Sequence, residues 1–499
     1  MKRIRIFLLN GFLLSISSLL MQIIGMCFNI FISNRIGTES IGIFGLIMSV
    51  YLFFITIATS GINLATCRII SEQIALGLDS GIKKAMKKCL FYSLFMSSIS
   101  FVLLFSLSPL ISVNFLKDKV SFVSVQILSF SLPFIALSSC IKGYFSAFRK
   151  VKRTIMVQLI EQVGRIFCIC ILIKFFTPIN IENACICLSL GSTISEALSF
   201  FNFILLFFID KRKLNVNTYT DTNYTKQILR IALPISFTSY IRSGLSSLKQ
   251  LLIPISLEKS GLSYKDSISN YGIINGMVIP LLNFPCLFIS SFSLLLVSEF
   301  SYMNAKRQVN KINFSLEKIL KFCFIFSFLV MGIFWCFSKE LNTFIYPNTQ
   351  LFNYIKLLCP LIILMYIDNI VDNILKGLDK QISVMGINIL DLASSIFLIY
   401  FLLPFKGISG YIIVLFASEF LNGFLSLLVL IKHTNLKIDF INWIVKPLLS
   451  IIFINVCFSY LNFQITNILN LIFSIICFGL LYFISILLLK GIVKEDIKF

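Results

Sequence analysis

Long apolar runs alternate with short polar loops along the whole chain. Most runs reach about 20 residues, the length at which an α-helix crosses the hydrocarbon core of a bilayer. A transmembrane β-barrel would instead show ten-residue segments of alternating hydrophobicity. The pattern therefore predicts an all-α, polytopic membrane protein.

The apolar runs predict fourteen transmembrane helices, whose boundaries follow the change in hydropathy. The predicted helices are 6–32, 41–65, 89–113, 120–147, 154–176, 183–209, 228–257, 267–297, 316–337, 351–375, 382–403, 408–431, 441–461 and 468–489. The longest polar stretch, 210–226, separates helices six and seven and is the predicted linker.

The distribution of Lys and Arg predicts the orientation of these helices. One set of loops, which shares its side with both termini, carries the basic clusters 83–88, 149–153, 211–213, 306–311, 376–380 and 432–437. The opposite set holds only scattered cations. Because cytoplasmic loops are enriched in Lys and Arg, both termini are predicted in the cytoplasm of a cell-membrane protein.

An internal repeat indicates two related lobes. Residues 43–45 (IFG) align with 270–272 (NYG), and 71–72 with 298–299, at one constant offset that also relates Pro133 to Pro360. Two units of six helices would be related by an axis along the membrane normal and would enclose a central cavity. The predicted domains are an N-lobe (1–215), a C-lobe (216–440) and the C-terminal helices thirteen and fourteen (441–499).

Composition excludes several other functions. The net charge of +21 is spread over many loops, so it predicts membrane orientation rather than nucleic-acid binding. Cys168-x-Cys170 and Cys185-x-Cys187 lack common zinc spacing and are expected to be buried apolar residues. His433 is the only histidine, so neither a metal site built from histidines nor a Ser-His-Asp triad is expected. No cofactor is expected.

Two fixed cations lie inside predicted helix seven, in the segment SYIRSGLSSLKQLLIP (239–254). Arg242 and Lys249 are seven residues apart, about two helical turns, so they share one side of the helix. Each would cost about 2.5–3.5 kcal/mol at the bilayer centre. A polar cavity or a partner charge is therefore expected beside them.

Further charges lie in other predicted helices. Glu161 and Arg165 are four residues apart, which fits either an internal ion pair or two cavity-lining groups. Asp368 and Asp372 have the same spacing, and Asp391 lies in the next helix. These acids are candidates for binding a proton or cation, for neutralising Arg242 or Lys249, or for meeting water at helix ends.

Four stretches resemble one known family. They are GTESIGIFGLIMSVYLFFITIATSGINLATCRIISE (37–72), KGYFSAFRKVKRTIMVQLIEQVGRI (142–166), ALPISFTSYIRSGLSSLKQLLIP (232–254) and GLSYKDSISNYGIINGMVIPLLNFP (261–285). Together they resemble the stage V sporulation protein B family. This family belongs to the superfamily of multidrug and toxin extruders, oligosaccharide-lipid flippases and lipid II flippases.

The resemblance implies a two-lobed helical fold and transport of a lipid-linked polysaccharide or peptidoglycan precursor, with cell-wall synthesis proteins as partners and a link to the spore cortex. Gln22 and Asn29 occupy positions where relatives often carry arginine. Lys249 stands where an acidic residue is common, and the motif after GYF is altered at 149–154.

The leading hypothesis is thus a flippase, not an enzyme, that moves a lipid-linked sugar by alternating access. Arg242 and Lys249 would hold the diphosphate, because a low-dielectric cavity needs cations beside phosphates. The other expected cavity residues are Gln22, Asn29, Glu161 and Arg165. Coupling to a proton or sodium gradient, or to the membrane potential, would use Asp368, Asp372 and Asp391.

Two other functions were considered. An ion-coupled multidrug antiporter would use the same acids and Glu161, but twelve helices are usual in that class. A membrane-bound polymerase or glycosyltransferase would need a catalytic domain or a large loop, and no loop is long enough.

Overall fold

A computed structural model describes residues 2–114, 121–176, 180–211, 224–347, 351–434, 436, 438–461 and 467–491. All regular structure in these ranges is helical, which confirms the predicted all-α class. The helices are α1 (Lys2–Thr59), α2 (Ile62–Ala75), α3 (Asp79–Asn114), α4 (Ser121–Ser129), α5 (Leu132–Ala147), α6 (Val151–Phe175), α7 (Ile181–Lys211), α8 (Tyr224–Lys259), α9 (Tyr264–Tyr271), α10 (Ile279–Asn283), α11 (Cys286–Ala305), α12 (Val309–Cys336), α13 (Ser338–Ile345), α14 (Phe352–Leu358), α15 (Leu361–Gly377), α16 (Gln381–His433), α17 (Lys446–Leu461) and α18 (Ile468–Leu488). Two π-helical segments, Gly272–Val278 and Ile441–Val445, precede α10 and α17.

The two longest helices each contain one glycine that breaks the helical path. Gly37 in α1 has φ 81°, and Gly407 in α16 has φ 55°. Glycine adopts this left-handed conformation without the steric cost that a Cβ would bring. Helices one and two, and helices eleven and twelve, are therefore joined by turns much shorter than the predicted loops.

The described helices include ten that are long and apolar enough to cross a membrane, or eleven when the bent pair α14–α15 counts as one crossing. Two of the ten, with 60 and 53 residues, are far longer than the roughly 20 residues that one crossing needs. The chain is a multi-pass membrane protein, and the count of fourteen crossings stays a prediction.

Several predicted helices are interrupted beside proline. Predicted helix four is divided between α4 and α5 just before Pro133, and helix ten between α14 and α15 at Pro360. Proline has no N–H and its ring clashes with the preceding turn, so it bends or ends a helix. Predicted helix eight is divided into α9, a π-helical segment, α10 and α11, with the last break at Pro285.

Left-handed residues end four helices at matching places in the proposed repeat. Gly77 follows α2 and Arg307 follows α11; Arg149 follows α5 and Asp379 follows α15. Both pairs are separated by 230 positions, three more than the offset of 227 that relates the sequence matches. Each residue turns the chain so that backbone N–H groups reach back to carbonyls in the last helical turn. The two halves thus end corresponding helices in the same way, but not at the exact offset of the sequence matches.

The chain packs as two compact units. Unit 1 comprises 1–21, 36–272 and 399–407, and unit 2 comprises 22–35, 273–398 and 408–499. The core of unit 1 is formed by α2, α3, α5, α7 and the first turns of α8, with Ile69, Cys89, Tyr144, Phe203 and Ile228 among its buried residues. The division into lobes at 215 and 440 stays a prediction.

Unit 2 is built around α12. Helices α11, α15 and α17 all pack against α12. Tyr482 of α18 donates its hydroxyl to the carbonyl of Ile325 in α12 at 2.9 Å, and Phe337, Phe458 and Phe478 form a cluster of edge-to-face and tilted rings. The two C-terminal helices are therefore an integral part of this unit.

Candidate functional site

Helix α8 is held against residues 38–59 by a row of small polar side chains. Ser247 Oγ donates to the carbonyl of Ser49 at 2.6 Å, and Thr56 Oγ1 donates to Ser243 Oγ at 3.1 Å. A Cβ on Gly244 would lie 3.3 Å from the ring of Phe53, so the backbones approach closely there. These contacts fix the rotation of α8 about its axis.

This rotation places Arg242 and Lys249 on the opposite side of α8. Seven residues at 100° each bring the two side chains within about 20° of each other, as predicted. Arg242 is exposed and Lys249 is partly buried. Within the described part of unit 1, no ion pair engages Arg242. Arg242 is therefore a cation available to an anionic ligand.

Arg165, by contrast, is compensated by acids. Its Nη2 lies 3.2 Å from Glu161 Oε1 and 3.4 Å from Glu196 Oε1, and its Nε donates to Ser195 Oγ at 3.3 Å. The i, i+4 spacing predicted the first pair, whereas Glu196 comes from the neighbouring helix α7. Lys142 is a second cation that interacts with both acids, so two carboxylates and two cations compensate each other in this cluster.

Gln22 and Asn29 lie in unit 2, on the first part of α1. Gln22 is exposed, and Asn29 Nδ2 donates to the carbonyl of Gly276 at 3.2 Å. Gly276 belongs to the first π-helical segment, and its neighbour Asn275 donates to the hydroxyl of Tyr411 at 2.5 Å. Asn29 thus joins α1 to the first π-helical segment within unit 2.

A small polar pocket in unit 2 brings the predicted acids together. Its volume is about 210 Å³. The lining residues are Asn283, Cys286, Met365, Asp368, Asn369, Asp372, Asn373, Lys376 and Glu419. Three carboxylates, three amides and one ammonium group therefore surround a space large enough for several water molecules. Among the described residues, no group of three His, Cys, Asp or Glu side chains is arranged to hold a metal ion.

Asp368 has an unusual environment within this pocket. Asn422 Nδ2 donates to Asp368 Oδ2 at 3.0 Å, but Asp368 Oδ1 and Asn422 Oδ1 are both buried without a hydrogen-bond partner among the described residues. Both atoms are acceptors, and a buried acceptor without a donor is costly. Hydrogen bonds from the described residues therefore satisfy the Asp368 carboxyl group only in part.

The two neighbouring aspartates are better satisfied. Asp372 accepts from Ser426 Oγ at 3.3 Å and Asn388 Nδ2 at 3.4 Å. Asp391 is buried and accepts from Ser418 Oγ at 2.6 Å and from Ser395 Oγ. Asp391 does not line the pocket, so the structure groups Asp368 with Asp372 and sets Asp391 apart in a serine cluster.

The predicted site residues are thus distributed over both units. Arg242, Lys249, Glu161 and Arg165 belong to unit 1; Gln22, Asn29, Asp368, Asp372 and Asp391 belong to unit 2. Sequence reasoning missed Asn422, although it lies three residues after Glu419 on the same helical face. It also missed Arg68 and Arg230, two further cations in apolar segments of unit 1.

These features define a helical, multi-pass membrane transporter fold. Two solved structures are similar: lipid II flippase MurJ in an inward closed conformation (TM-score 0.69, 16% identity, 95% of this chain and 97% of that chain) and an inward-facing multidrug resistance MATE family transporter of the MOP superfamily (TM-score 0.68, 15% identity, 84% and 98%). At these identities the likeness concerns the fold alone.

The sequence comparison is more specific. Residues 7–294, more than half of the chain, match the polysaccharide biosynthesis protein family, and the chain belongs to this family. It is similar to stage V sporulation protein B of Bacillus subtilis strain 168, at 22% identity over 384 residues that cover 75% of this chain and 73% of that protein. It also resembles lipid II flippase MurJ of the same strain, at 25% identity over 219 residues, 41% and 40% of the two chains. The resemblance inferred from the motifs is confirmed.

Proposed function

We propose that this protein moves a lipid-linked oligosaccharide or peptidoglycan precursor across the cell membrane by alternating access. Family membership and the names of its relatives, which include a lipid II flippase and a sporulation protein, support this function. The protein acts as a transporter rather than an enzyme, in cell-wall or polysaccharide synthesis.

The observation that carries the proposal is that Arg242 is exposed and makes no ion pair within the described part of unit 1. It is an exposed guanidinium near the middle of a helix of 36 residues, on the side away from the helix packing. A guanidinium binds the oxygens of a diphosphate through two parallel hydrogen bonds, which an ammonium group cannot do. Lys249 lies two turns further along the same side and adds a second positive charge along the path.

The gradient that drives transport would act through Asp368. Protonation would turn Asp368 Oδ1 from an unsatisfied acceptor into a donor, while Asn422 Nδ2 still donates to Asp368 Oδ2. Deprotonation would return a charge to a half-buried pocket that already contains Asp372 and Glu419. A proton is therefore favoured over sodium as the coupling ion.

The proposed orientation places both termini in the cytoplasm. The basic clusters at 83–88, 149–153 and 306–311 support it, since cytoplasmic loops carry most Lys and Arg. Helix α8 then begins on the cytoplasmic side at Tyr224 and ends on the outer side at Lys259. Alkaline phosphatase fused after the last residue should be inactive in a bacterial host, and an active fusion would contradict this orientation.

Reconstitution tests the function directly. Purified protein in liposomes that contain a labelled undecaprenyl diphosphate-linked sugar should bring the label to the opposite leaflet, where an added sugar-oxidising reagent can reach it. An imposed proton gradient should change the rate, and Asp368→Asn should remove this dependence because the amide cannot release a proton. Absence of transbilayer movement in the active preparation would refute the proposal.

A multidrug antiporter is the second candidate, favoured by the acidic pocket of unit 2 and by the similar fold of a MATE transporter. That function predicts ethidium efflux that depends on a proton or sodium gradient, without movement of the lipid. The same liposomes, loaded with ethidium, distinguish the two functions.

A further inference from the structure

A second pocket in unit 1 lies between α2 and the first turns of α8. Its volume is about 620 Å³, within the range of small-molecule sites. It is lined by Arg68, Glu72, Gln227, Arg230, Ile231, Pro234 and Ile235. We call it the Arg68–Arg230 pocket. None of these residues belongs to the site of Arg242 and Lys249.

Two close contacts hold α2 against α8 beside the pocket. Tyr224 donates its hydroxyl to Gln73 Oε1 at 3.1 Å near the start of α8. Further along α8, a Cβ on Gly61 would lie only 3.1 Å from the carbonyl of Ala232. Pro234, two residues beyond Ala232, leaves the carbonyl of Arg230 without its helical hydrogen bond, because proline has no N–H. The pocket therefore runs along the side of a contact between α2 and α8 that is fixed at two places.

The pocket has one charged end and one apolar end. Arg68, Glu72, Gln227 and Arg230 supply the charged and amide groups, while Ile231, Pro234 and Ile235 continue along α8. The residues of α8 that line it recur every three to four positions, so they occupy one face of the helix. A ligand with a polar head and an apolar body matches this division.

Both arginines can bind an anion. Arg68 uses its Nε for Glu72 Oε1 at 3.3 Å, and both side chains of this pair are at least half exposed, so the pair is weak. Arg230 is exposed and makes no ion pair within the described part of the chain. Gln227 Oε1 is buried and lacks a hydrogen-bond partner among the described residues.

The position along the helix fits the headgroup layer of a membrane. Helix α8 has 36 residues and is about 54 Å long, whereas the hydrocarbon core is about 30 Å thick. Its first turns therefore extend beyond the core. Gln227 and Arg230 lie within about 9 Å of the start of the helix, where lipid phosphates are found.

We propose that the Arg68–Arg230 pocket binds the phosphate ester headgroup of a lipid, with the two guanidinium groups on the phosphate oxygens and Gln227 Oε1 accepting from an adjacent hydroxyl group. Arginine forks match the geometry of phosphate oxygens. Binding here requires no transport and does not involve Arg242. The phosphate can come from the diphosphate-linked substrate in the cytoplasmic leaflet or from an anionic phospholipid.

Photolabelling of the full-length protein in phosphatidylcholine nanodiscs tests this site. The probe is farnesyl diphosphate with a diazirine in its chain, and mass spectrometry maps the label. We expect labelling of residues 224–235, and a loss of about tenfold for each arginine replaced in Arg68→Gln and Arg230→Gln. Lys88→Gln, an exposed cation on α3 outside the pocket, is the matched control and should label like the wild type.

Two competitors then assign the source of the phosphate. Displacement by undecaprenyl diphosphate, but not by phosphatidylglycerol at the same concentration, identifies a docking site for the substrate; displacement by both identifies a general anionic-lipid site. Equal labelling by a diazirine farnesol, or unchanged labelling of the Arg68→Gln/Arg230→Gln variant, would overturn the proposal. A failure of lipid transport in liposomes would leave this binding result unaffected, so the two proposals are tested separately.

Discussion

Charged side chains inside the helices of this protein differ in whether the fold compensates them. Arg165 contacts two carboxylates, and Asp391 accepts from two serine hydroxyls. Arg242 has no such ion pair within the described part of unit 1. A charge in a membrane helix without compensation is expensive and tends to be retained for function. This contrast separates structural from functional charges.

Arg242→Ala should abolish transport without unfolding the protein. Its side chain is exposed and pairs with no acid of the described unit, so its loss should change stability by less than about 0.5 kcal/mol. The transport rate should fall at least tenfold, because the diphosphate loses its guanidinium partner. Liposome transport and thermal unfolding in detergent measure the two effects. Arg242→Lys, which keeps the charge but not the fork, should be intermediate; full activity of the alanine variant would exclude this residue from the site.

Arg165→Ala, unlike Arg242→Ala, should lower the stability of the protein. Removing the guanidinium leaves Glu161 and Glu196 facing each other between α6 and α7, which should cost about 1–3 kcal/mol of stability. The unfolding temperature in detergent should therefore fall. Adding Glu196→Gln to the variant should restore part of the loss by removing one charge. An unchanged unfolding temperature would show that the cluster contributes little to the fold.

The sequence predicted local charge pairs but not distant ones. Glu161 and Arg165 share a helical face by their spacing alone. Glu196 lies on another helix, and the pairing of Asn422 with Asp368 joins residues 54 positions apart. Only tertiary packing brings such groups together, so a single sequence cannot reveal them.

At the level of elements, hydropathy predicted where helices occur better than where they end. The apolar run 89–113 is helical, but α3 begins at Asp79 and includes the basic segment before the run. Lysine is a good helix former, so the helix continues outside the membrane once it has begun. The π-helical segments have no comparable signal in the sequence, because they depend on contacts such as that between Asn275 and Tyr411.

An ion cluster joins three helices of unit 1 at their basic end. Asp210 of α7 is almost fully buried and lies 2.6 Å from Lys150 Nζ and 3.0 Å from Arg153 Nη1, while Tyr144 of α5 donates to it at 3.1 Å. Lys150 and Arg153 thus share one buried counter-charge at the junction of α5 and α6.

Asp210→Asn should lower stability by about 1–3 kcal/mol, because two partly buried cations lose their counter-charge. Thermal unfolding in detergent would measure the change. Glu182→Gln, at the exposed start of the same helix, is the matched control and should change stability by less than about 0.5 kcal/mol. Equal effects of the two substitutions would contradict a special role for the cluster.

At the level of the whole molecule, one contact inside unit 1 joins residues that the repeat assigns to different lobes. A Cβ on Gly42 would lie 2.3 Å from the carbonyl of Ile268, and a Cβ on Gly272 would lie 2.3 Å from the carbonyl of Thr38. No other residue fits at either position without moving the backbone. Thr38 Oγ1 and Ser269 Oγ are 2.7 Å apart, and Lys265 pairs with Glu39 at 3.4 Å.

On the proposed orientation this contact lies at the outer end of the helices, so alternating access requires it to open in each transport cycle. Thr38→Cys/Ser269→Cys should form a disulfide, since the replaced hydroxyls are within hydrogen-bonding distance. The cross-linked protein should lose lipid transport, and a reducing agent should restore it. Each single cysteine variant should remain active under the same oxidising conditions, which controls for the native cysteines. Undiminished transport by the fully cross-linked protein would show that the contact stays closed throughout the cycle and that the lipid leaves by another route.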